Sequence, residues 1–467
     1  MCPQIARWLA ALALAAAAVS ADAHDGPLDP YFGDGGMRSY GFQSFNGSNR
    51  NDRAAAVACP GPDGTLVVTG EASDAHRLVT MRLLPNGDYD PSYGAGGRVS
   101  VEFAMTQEYY MAGLCLPDSK ILLARRVRIG EPAEANIQLM RIDATTGRLD
   151  TSFGQQGATL LDLDSWQAGL QNVESPLSLT LLDGGEVLLS GHVSAAGRFV
   201  AFAARIRDDG HVPVARVYAD APNRATANTF MAAMLAGDGY IWGVIEGSQP
   251  GSARVTPFRV RFDRMTLQWI DVPDALPNTL GDDIYGGRGV RVSDGVLVVP
   301  MIQSVRGSSP QRNRPGVMIY RAAGKIFLPL PEPSLAGESL TISTHFALQS
   351  ALVLPGGRVL VAFATTRSGT STLNGMHVAM VQVGATIGSD GLDKTFGLGG
   401  AQSAAFRPVG SACPMATVAQ DFSGLAYWNG APTLVGNVDS SCNNNGGGVD
   451  YLVARLHAER VVDNAVD

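Results

Sequence analysis

Apolar positions along this chain come in short runs divided by turn residues, and no convincing amphipathic helical spacing stands among them. One recurring unit is a turn followed by a short apolar strand. It appears as Asp63-Gly64 before Leu66-Val67-Val68, Pro117-Asp118 before Ile121-Leu122-Leu123, Asp183-Gly184 before Val187-Leu188-Leu189 and Asp238-Gly239 before Ile241-Trp242. It continues as Asp294-Gly295 before Val296 to Val299, Gly356-Gly357 before Val359-Leu360-Val361, and Asn429-Gly430 before Leu434-Val435. Asp-Gly and Asn-Gly between apolar runs are the strongest short-range hairpin signals, so each of these predicts a hairpin. A second unit is a strand that often ends in Arg and an apolar residue: Leu78 to Leu83 with Arg82, Ile137 to Ile142 with Arg141, Phe199 to Ile206 with Arg205, Phe258 to Phe262 with Arg261, Val317 to Arg321, His377 to Val383 with Gln382 in the Arg place, and Leu452 to Leu456 with Arg455.

A loop motif keeps the same period. It reads apolar, Asp, two variable residues, aromatic, Gly, two variable residues, Gly, and is complete at Asp29-Phe32-Gly33-Gly36, Asp90-Tyr93-Gly94-Gly97, Asp150-Phe153-Gly154-Gly157 and Asp393-Phe396-Gly397-Gly400. The Asp positions are 61, 60 and 243 residues apart, the last close to four periods. Four copies in phase mark an internal repeat of about 60 residues. The loop's own chemistry is structural: Asp bonds a backbone amide two residues on, the aromatic anchors the loop, and the glycines take positive φ. Because the Arg stands at a nearly fixed distance before the Asp, Arg82 is predicted to pair with Asp90 and Arg141 with Asp150. Arg455 has no loop after it, so its predicted partner is Asp29, from the other end of the chain.

Units of this length with about four short strands predict an all-β fold, a β-propeller of seven blades of four antiparallel strands. The strands are named A (before the Asp-Gly turn), B (after it), C (the Arg strand) and D (after the Asp loop). The last unit stops at C, and Met37 to Phe42 is predicted to supply its D strand, so that the N-terminal strand closes the ring beside residues 450 to 457 and removes the open edge. The Leu-Asp-x-x-Phe-Gly-x-x-Gly loop resembles that of the delta-60 repeat family of secreted bacterial proteins. The resemblance implies a propeller, for a family that mostly lacks an assigned activity. Between Arg205 and Gln382 the loop has decayed to fragments such as Asp209-Gly210 and Ile270-Asp271.

Composition agrees with a turn-rich sheet protein. The 467 residues include 55 Gly and only 17% charged residues, with a formal net charge of -8 that argues against a sequence-independent nucleic-acid binder. Arg7, the apolar run Trp8 to Val19 and Ala21-Asp22-Ala23 fit a signal peptide over residues 1–23 cleaved after Ala23, which leaves a single propeller domain over 24–467 in the periplasm or outside the cell. No later stretch is long and apolar enough to span a membrane. Four cysteines then remain for an oxidising compartment; Cys413 with Cys442 is the preferred disulfide and Cys59 with Cys115 the other pair considered.

The search for chemistry returns no nucleophile elbow, zinc-protease helix, phosphate loop or Cys-x-x-Cys, and predicts no metal, no cofactor and no assignable catalytic residue. The histidines are scattered; Asp282-Asp283 and Asn443 to Gly448 lack the spacing of a calcium loop. In an antiparallel meander the A-B and C-D loops share one rim and the B-C and D-A loops the other. The B-C loops, Arg126 to Asn136, Gly247 to Ala253, Gln303 to Pro315, Thr365 to Asn374 and Asp439 to Gly448, differ from blade to blade and are the place to expect binding. Arg306, Arg312 and Arg314 offer a basic stretch there. The functional expectation is an exported, monomeric, non-catalytic scaffold that binds a protein, glycan or envelope component on this rim. The alternative is a propeller hydrolase or lyase with titratable side chains converging at the central channel.

Overall fold

The computed structural model describes most of residues 28–457; residues 1–27, 42–51, 219–225, 406–419, 440–448, 458–467 and several shorter stretches lie outside it. The signal peptide and the Cys413–Cys442 pair therefore fall outside the described residues. The chain is an all-β propeller built from four-stranded antiparallel sheets, two of which carry extra short strands. In chain order, sheet I joins Asp52–Pro60, Leu66–Ala72, Arg77–Leu83 and Arg98–Glu102, and sheet II joins Thr106–Cys115, Lys120–Ile129, Glu134–Asp143 and Ala158–Leu161. Sheet III joins Leu170–Leu181, Val187–Ala195, Arg198–Ile206 and Val214–Val217; sheet IV runs from Thr226–Leu235 to the two-residue strand Asp274–Ala275. Sheet V is centred on Val296–Val305 and Arg312–Arg321, and sheet VI on Arg358–Arg367 and Leu373–Gln382.

Sheet VII closes the ring as predicted. Its strands Gln420–Trp428, Ala431–Asp439 and Val449–Arg455 take Met37–Tyr40 as the outer strand, in the register Met37 opposite Ala454 and Tyr40 opposite Tyr451. Each pair of neighbouring sheets shares its own apolar core. Val57, Leu78, Ile121 and Met140 fill the space between I and II, Phe153, Leu163, Leu189 and Phe202 between II and III, and Phe32, Tyr40, Trp428 and Tyr451 between VII and I. Sheets are thus covered on both faces, which is why the middle strands read as continuous apolar runs instead of alternating ones. Val296–Val305 is buried at every position but the last.

Among the described residues the predicted A-B turns form, with Asp238-Gly239 and Asp294 lying outside them. Asn429 and Gly430 take φ of 49° and 78°, the paired positive values of a two-residue hairpin turn. The first glycine of the Asp loop is equally constrained: Gly33, Gly94, Gly154 and Gly397 hold φ of 53° to 55°, and a Cβ on any of them would fall within 2.5 Å of a carbonyl oxygen four residues on. The B-C loops are shorter than expected, because the hairpins run further. Arg126 pairs with Ile137 and Ile129 with Glu134, and Val305 pairs with Arg312, so several residues expected in loops belong to strand ladders.

Among the described residues one disulfide is present, Cys59–Cys115, with Cα atoms 5.5 Å apart; it ties the inner strands of sheets I and II. This was the less favoured of the two pairings. The two cysteines occupy equivalent ends of adjacent A strands, and the close packing of those strands around the axis brings them into bonding range.

Candidate functional site

The two rims of the propeller differ in chemistry, and the A-B/C-D rim is the regular one. Arg82 Nε donates to Asp90 Oδ2 at 2.7 Å, Arg141 Nε to Asp150 Oδ2 at 2.9 Å, and Arg455 Nε to Asp29 Oδ2 at 2.8 Å, the three pairs predicted. The loop aromatic lies under the same guanidinium: Arg82 stands 4.6 Å from the ring centre of Tyr93, Arg141 5.1 Å from Phe153 and Arg455 4.9 Å from Phe32. The Asp accepts from the amide two residues on, as from Ser92 at 2.9 Å and Thr395 at 3.1 Å. Burial would raise the Asp90 and Asp150 carboxyls, yet hydrogen bonds from Ser92 and Ser152 and the facing guanidinium hold both below the ordinary range.

Each arginine also reaches the next sheet. Arg82 Nη1 donates to Thr145 O, Arg141 to Asp208 O, Arg205 to Arg264 O and Arg455 to Pro85 O, at 2.5 to 3.2 Å. Arg259 and Arg321 make the corresponding bridges from sheets IV and V, to Arg321 O at 2.9 Å and Gly384 O at 2.7 Å. The rim is a girdle of guanidinium bridges, and these Asp loops are structural in placement and in contact.

Sheet VI corrects one expectation. The residue that exchanges backbone bonds with Asp393 and Gly400, as Arg82 does with Asp90 and Gly97, is Met380 and not Gln382. Asp393 instead takes Arg358, from the start of the neighbouring strand, at 3.2 Å. The same strand position holds Glu186 in sheet III, where the loop Asp is lost, and Glu186 lies 3.5 Å from Arg205. Ile270, whose amide bonds to Arg261 O, stands where the loop Asp stands elsewhere, which accounts for the broken motif in sheet IV.

Among the described residues the central channel gathers no carboxylate and no histidine. A cavity of about 460 Å³ there is lined by small and apolar side chains of the inner strands, Val57, Ala112, Gly113, Leu177, Ser350 and Gly424 among them, together with Arg288 and Arg291. Burial pushes the Arg288 guanidinium down to about 10. No carboxylate lines this cavity, so the place where a catalytic site was anticipated is not where acid-base groups meet.

They meet instead at the B-C/D-A rim of sheet III. The loop leading into its inner strand carries Asp162, Asp164 and Trp166, and the strand itself carries Glu174 just after a bulge at Gln171/Glu174. Carboxylate oxygens of Asp162, Asp164 and Glu174 all lie within 4.8 Å of one another. Glu174 is buried; its Oε1 accepts the Leu163 amide at 3.1 Å and its Oε2 has no partner. Burial, with the two aspartates adding to it, pushes the Glu174 carboxyl up to about 8, and burial raises Asp164 as well. Beside this cluster Arg126, reaching across from sheet II, donates to Ser175 Oγ at 3.4 Å. On the other face of sheet III, the His192 ring stands edge-on to Phe199 with centroids 4.6 Å apart. Burial, and then Arg126, pulls His192 down to about 4, so its imidazole is neutral at neutral pH. Trp166 and Phe199 are 44% and 50% exposed, two of the few large apolar side chains so presented.

Sequence reading missed this corner. The signal available was Asp-x-Asp at 162 and 164 with Glu174 ten residues on, but only the bulge turns Glu174 toward the loop. The residues singled out instead are otherwise employed. Asp283 accepts the Val255 amide at 3.1 Å, and Arg312 and Arg314 both face Glu332 at 2.9 and 3.5 Å, so part of that basic stretch is already paired within the chain; Asp282, Arg306 and Asn443 to Gly448 lie outside the described residues. Among the described residues no helix is long and apolar enough to cross a membrane.

No protein family matches this sequence, and no curated protein does. Among solved structures the chain is similar to an alpha-L-arabinanase of Penicillium chrysogenum complexed with arabinobiose, at 15% identity and a TM-score of 0.45, over 74% of this chain and 93% of that one. It is also similar to a PL25 ulvan lyase, at 9% identity and a TM-score of 0.43, over 88% and 94%. A third is the β-propeller domain of the Trilobed protease from Pyrococcus furiosus, at 9% identity and a TM-score of 0.41, over 84% and 93%. With a glycoside hydrolase and a polysaccharide lyase among these propellers, the expectation of a non-catalytic scaffold is corrected, and the hydrolase-or-lyase alternative is carried forward.

Proposed function

We propose that this protein is an exported propeller hydrolase or lyase whose oligosaccharide substrate lies across the B-C/D-A rim of sheet III. The observation that carries the reading is the pair of exposed aromatics, Trp166 and Phe199, on the one stretch of rim where Arg126, His192 and carboxylates also stand. Flat apolar rings exposed beside polar groups suit sugar rings, which present an apolar face and a hydroxylated edge. Arg126 supplies positive charge for an acidic sugar, and the neutral imidazole of His192 supplies a proton acceptor. The Cys59–Cys115 disulfide supports an oxidising compartment, and the repeat loop supports the likeness to the delta-60 family.

Purified protein incubated with neutral and uronate-containing polysaccharides tests this. Hydrolysis is read by new reducing ends alone, elimination by reducing ends together with the ultraviolet absorbance of an unsaturated uronide. Trp166→Ala and Phe199→Ala are each expected to lower turnover of a long substrate about ten-fold, the worth of one stacking contact of about 1.4 kcal/mol. Absence of both signals across such a panel, or activity indifferent to both substitutions, overturns the reading.

A further inference from the structure

We infer that Asp162, Asp164 and Glu174 form a calcium site that ties the Trp166 loop to the inner strand of sheet III. Three observations carry it. First, all the ligand atoms are carboxylate oxygens, the donor set of a hard cation, with no His or Cys to favour a transition metal. Second, their mutual separations stay within 4.8 Å, and two oxygens on opposite sides of one calcium ion stand about 4.8 Å apart, twice a bond of about 2.4 Å. Third, Glu174 is only 2% exposed and brings a carboxylate oxygen into the cluster, yet its Oε2 has neither water access nor a hydrogen-bond partner. A buried acceptor left so is costly, and a bound cation relieves it.

The surroundings agree. The backbone amides of Leu163, Asp164 and Leu170 each donate to one of the three carboxylates, orienting them, and the charged side chains acting on Glu174 are the two aspartates alone. Asp162 and Asp164 reach solvent, which gives an ion entry and leaves room for water ligands to complete six to eight oxygens. The loop that would be held is short and carries Trp166, whose amide already bonds to Leu163 O at 2.9 Å. Its role in placing Trp166 for a sugar rests on the function proposed above; the ion site itself does not.

The test is calorimetric titration of calcium chloride into the chelator-stripped full-length protein, with the thermal unfolding midpoint followed in parallel. One calcium per chain and a raised midpoint are expected, with affinity at least ten-fold weaker in Glu174→Gln. If that buried variant fails to fold, Asp162→Asn/Asp164→Asn, altered only in the solvent-reaching loop, is expected to show the same loss. No heat and no midpoint shift at millimolar calcium overturns the site, as does binding that both variants retain, and magnesium binding as tight as calcium overturns the assignment of the ion. Calcium binding without polysaccharide cleavage removes only the proposed activity, whereas cleavage without calcium binding removes only the ion site.

Discussion

The two rims of this ring are built on opposite rules. On the A-B/C-D rim one device repeats: a guanidinium held by an aspartate, stacked on an aromatic and donated to the next sheet, and where one part is lost a neighbour replaces it, as Glu186 and Arg358 do. On the other rim no such device repeats among the described residues, and at sheet III a buried carboxylate lacks a partner while two aromatic rings face water. Among the described residues the difference separates chemistry repeated from sheet to sheet from chemistry found at sheet III, and the second kind is the one proposed to meet a ligand.

The comparison is most severely strained by acid. Asp90, Asp150 and Asp393 have carboxyls held below their ordinary value, so their contribution is present above the unfolded carboxyl range of about 4 and is lost as pH falls through the still lower folded values. The thermal midpoint is expected to drop steeply between about pH 5 and about pH 2 as these three carboxyls protonate; a flat midpoint over that range contradicts a structural girdle. Next in size is Arg141→Met, which leaves Asp150 nearly buried without its main cation and is expected to cost about 3 to 5 kcal/mol in denaturant unfolding. Arg312→Met, on the opposite rim and exposed, is expected to cost under about 0.5 kcal/mol.

Removing the disulfide by Cys59→Ala/Cys115→Ala closes no loop in the unfolded chain and is expected to lower stability by about 2 to 4 kcal/mol, for a bridge spanning 56 residues. A smaller effect is expected from Glu186→Gln, about 1 kcal/mol through Arg205, whereas Glu332→Gln on the other rim is expected to be close to neutral. Equal effects for these two glutamates would erase the distinction between the rims.

Much of the girdle was legible in sequence because short covalent spacing sets it: Arg82 and Asp90 are eight residues apart, Arg141 and Asp150 nine, and the period repeats the interval. The ring closure was legible too, since a missing D strand at one end matched a spare strand at the other. Glu186 and Arg358 were not, because they act across a strand pair, and Met380 could be placed only by backbone register. The Asp162–Glu174 cluster was hidden for a related reason: a bulge shifts the strand and no linear pattern announces it. Of the disulfides, equal positions on neighbouring A strands pointed to Cys59 and Cys115, but the distance between inner strands had to be seen.

Sheet VII carries a consequence for how the molecule assembles. Its clasp, Arg455 on Asp29, joins positions 426 apart, while the partners within each other sheet are near in sequence. Contacts of such span form slowly because the intervening chain must first lose its freedom. The six sheets made of consecutive strands are therefore expected to organise early, with the strand at residues 37–40 waiting, paired with nothing, until the final three strands arrive. Shutting the circle is then expected to be the late event of folding.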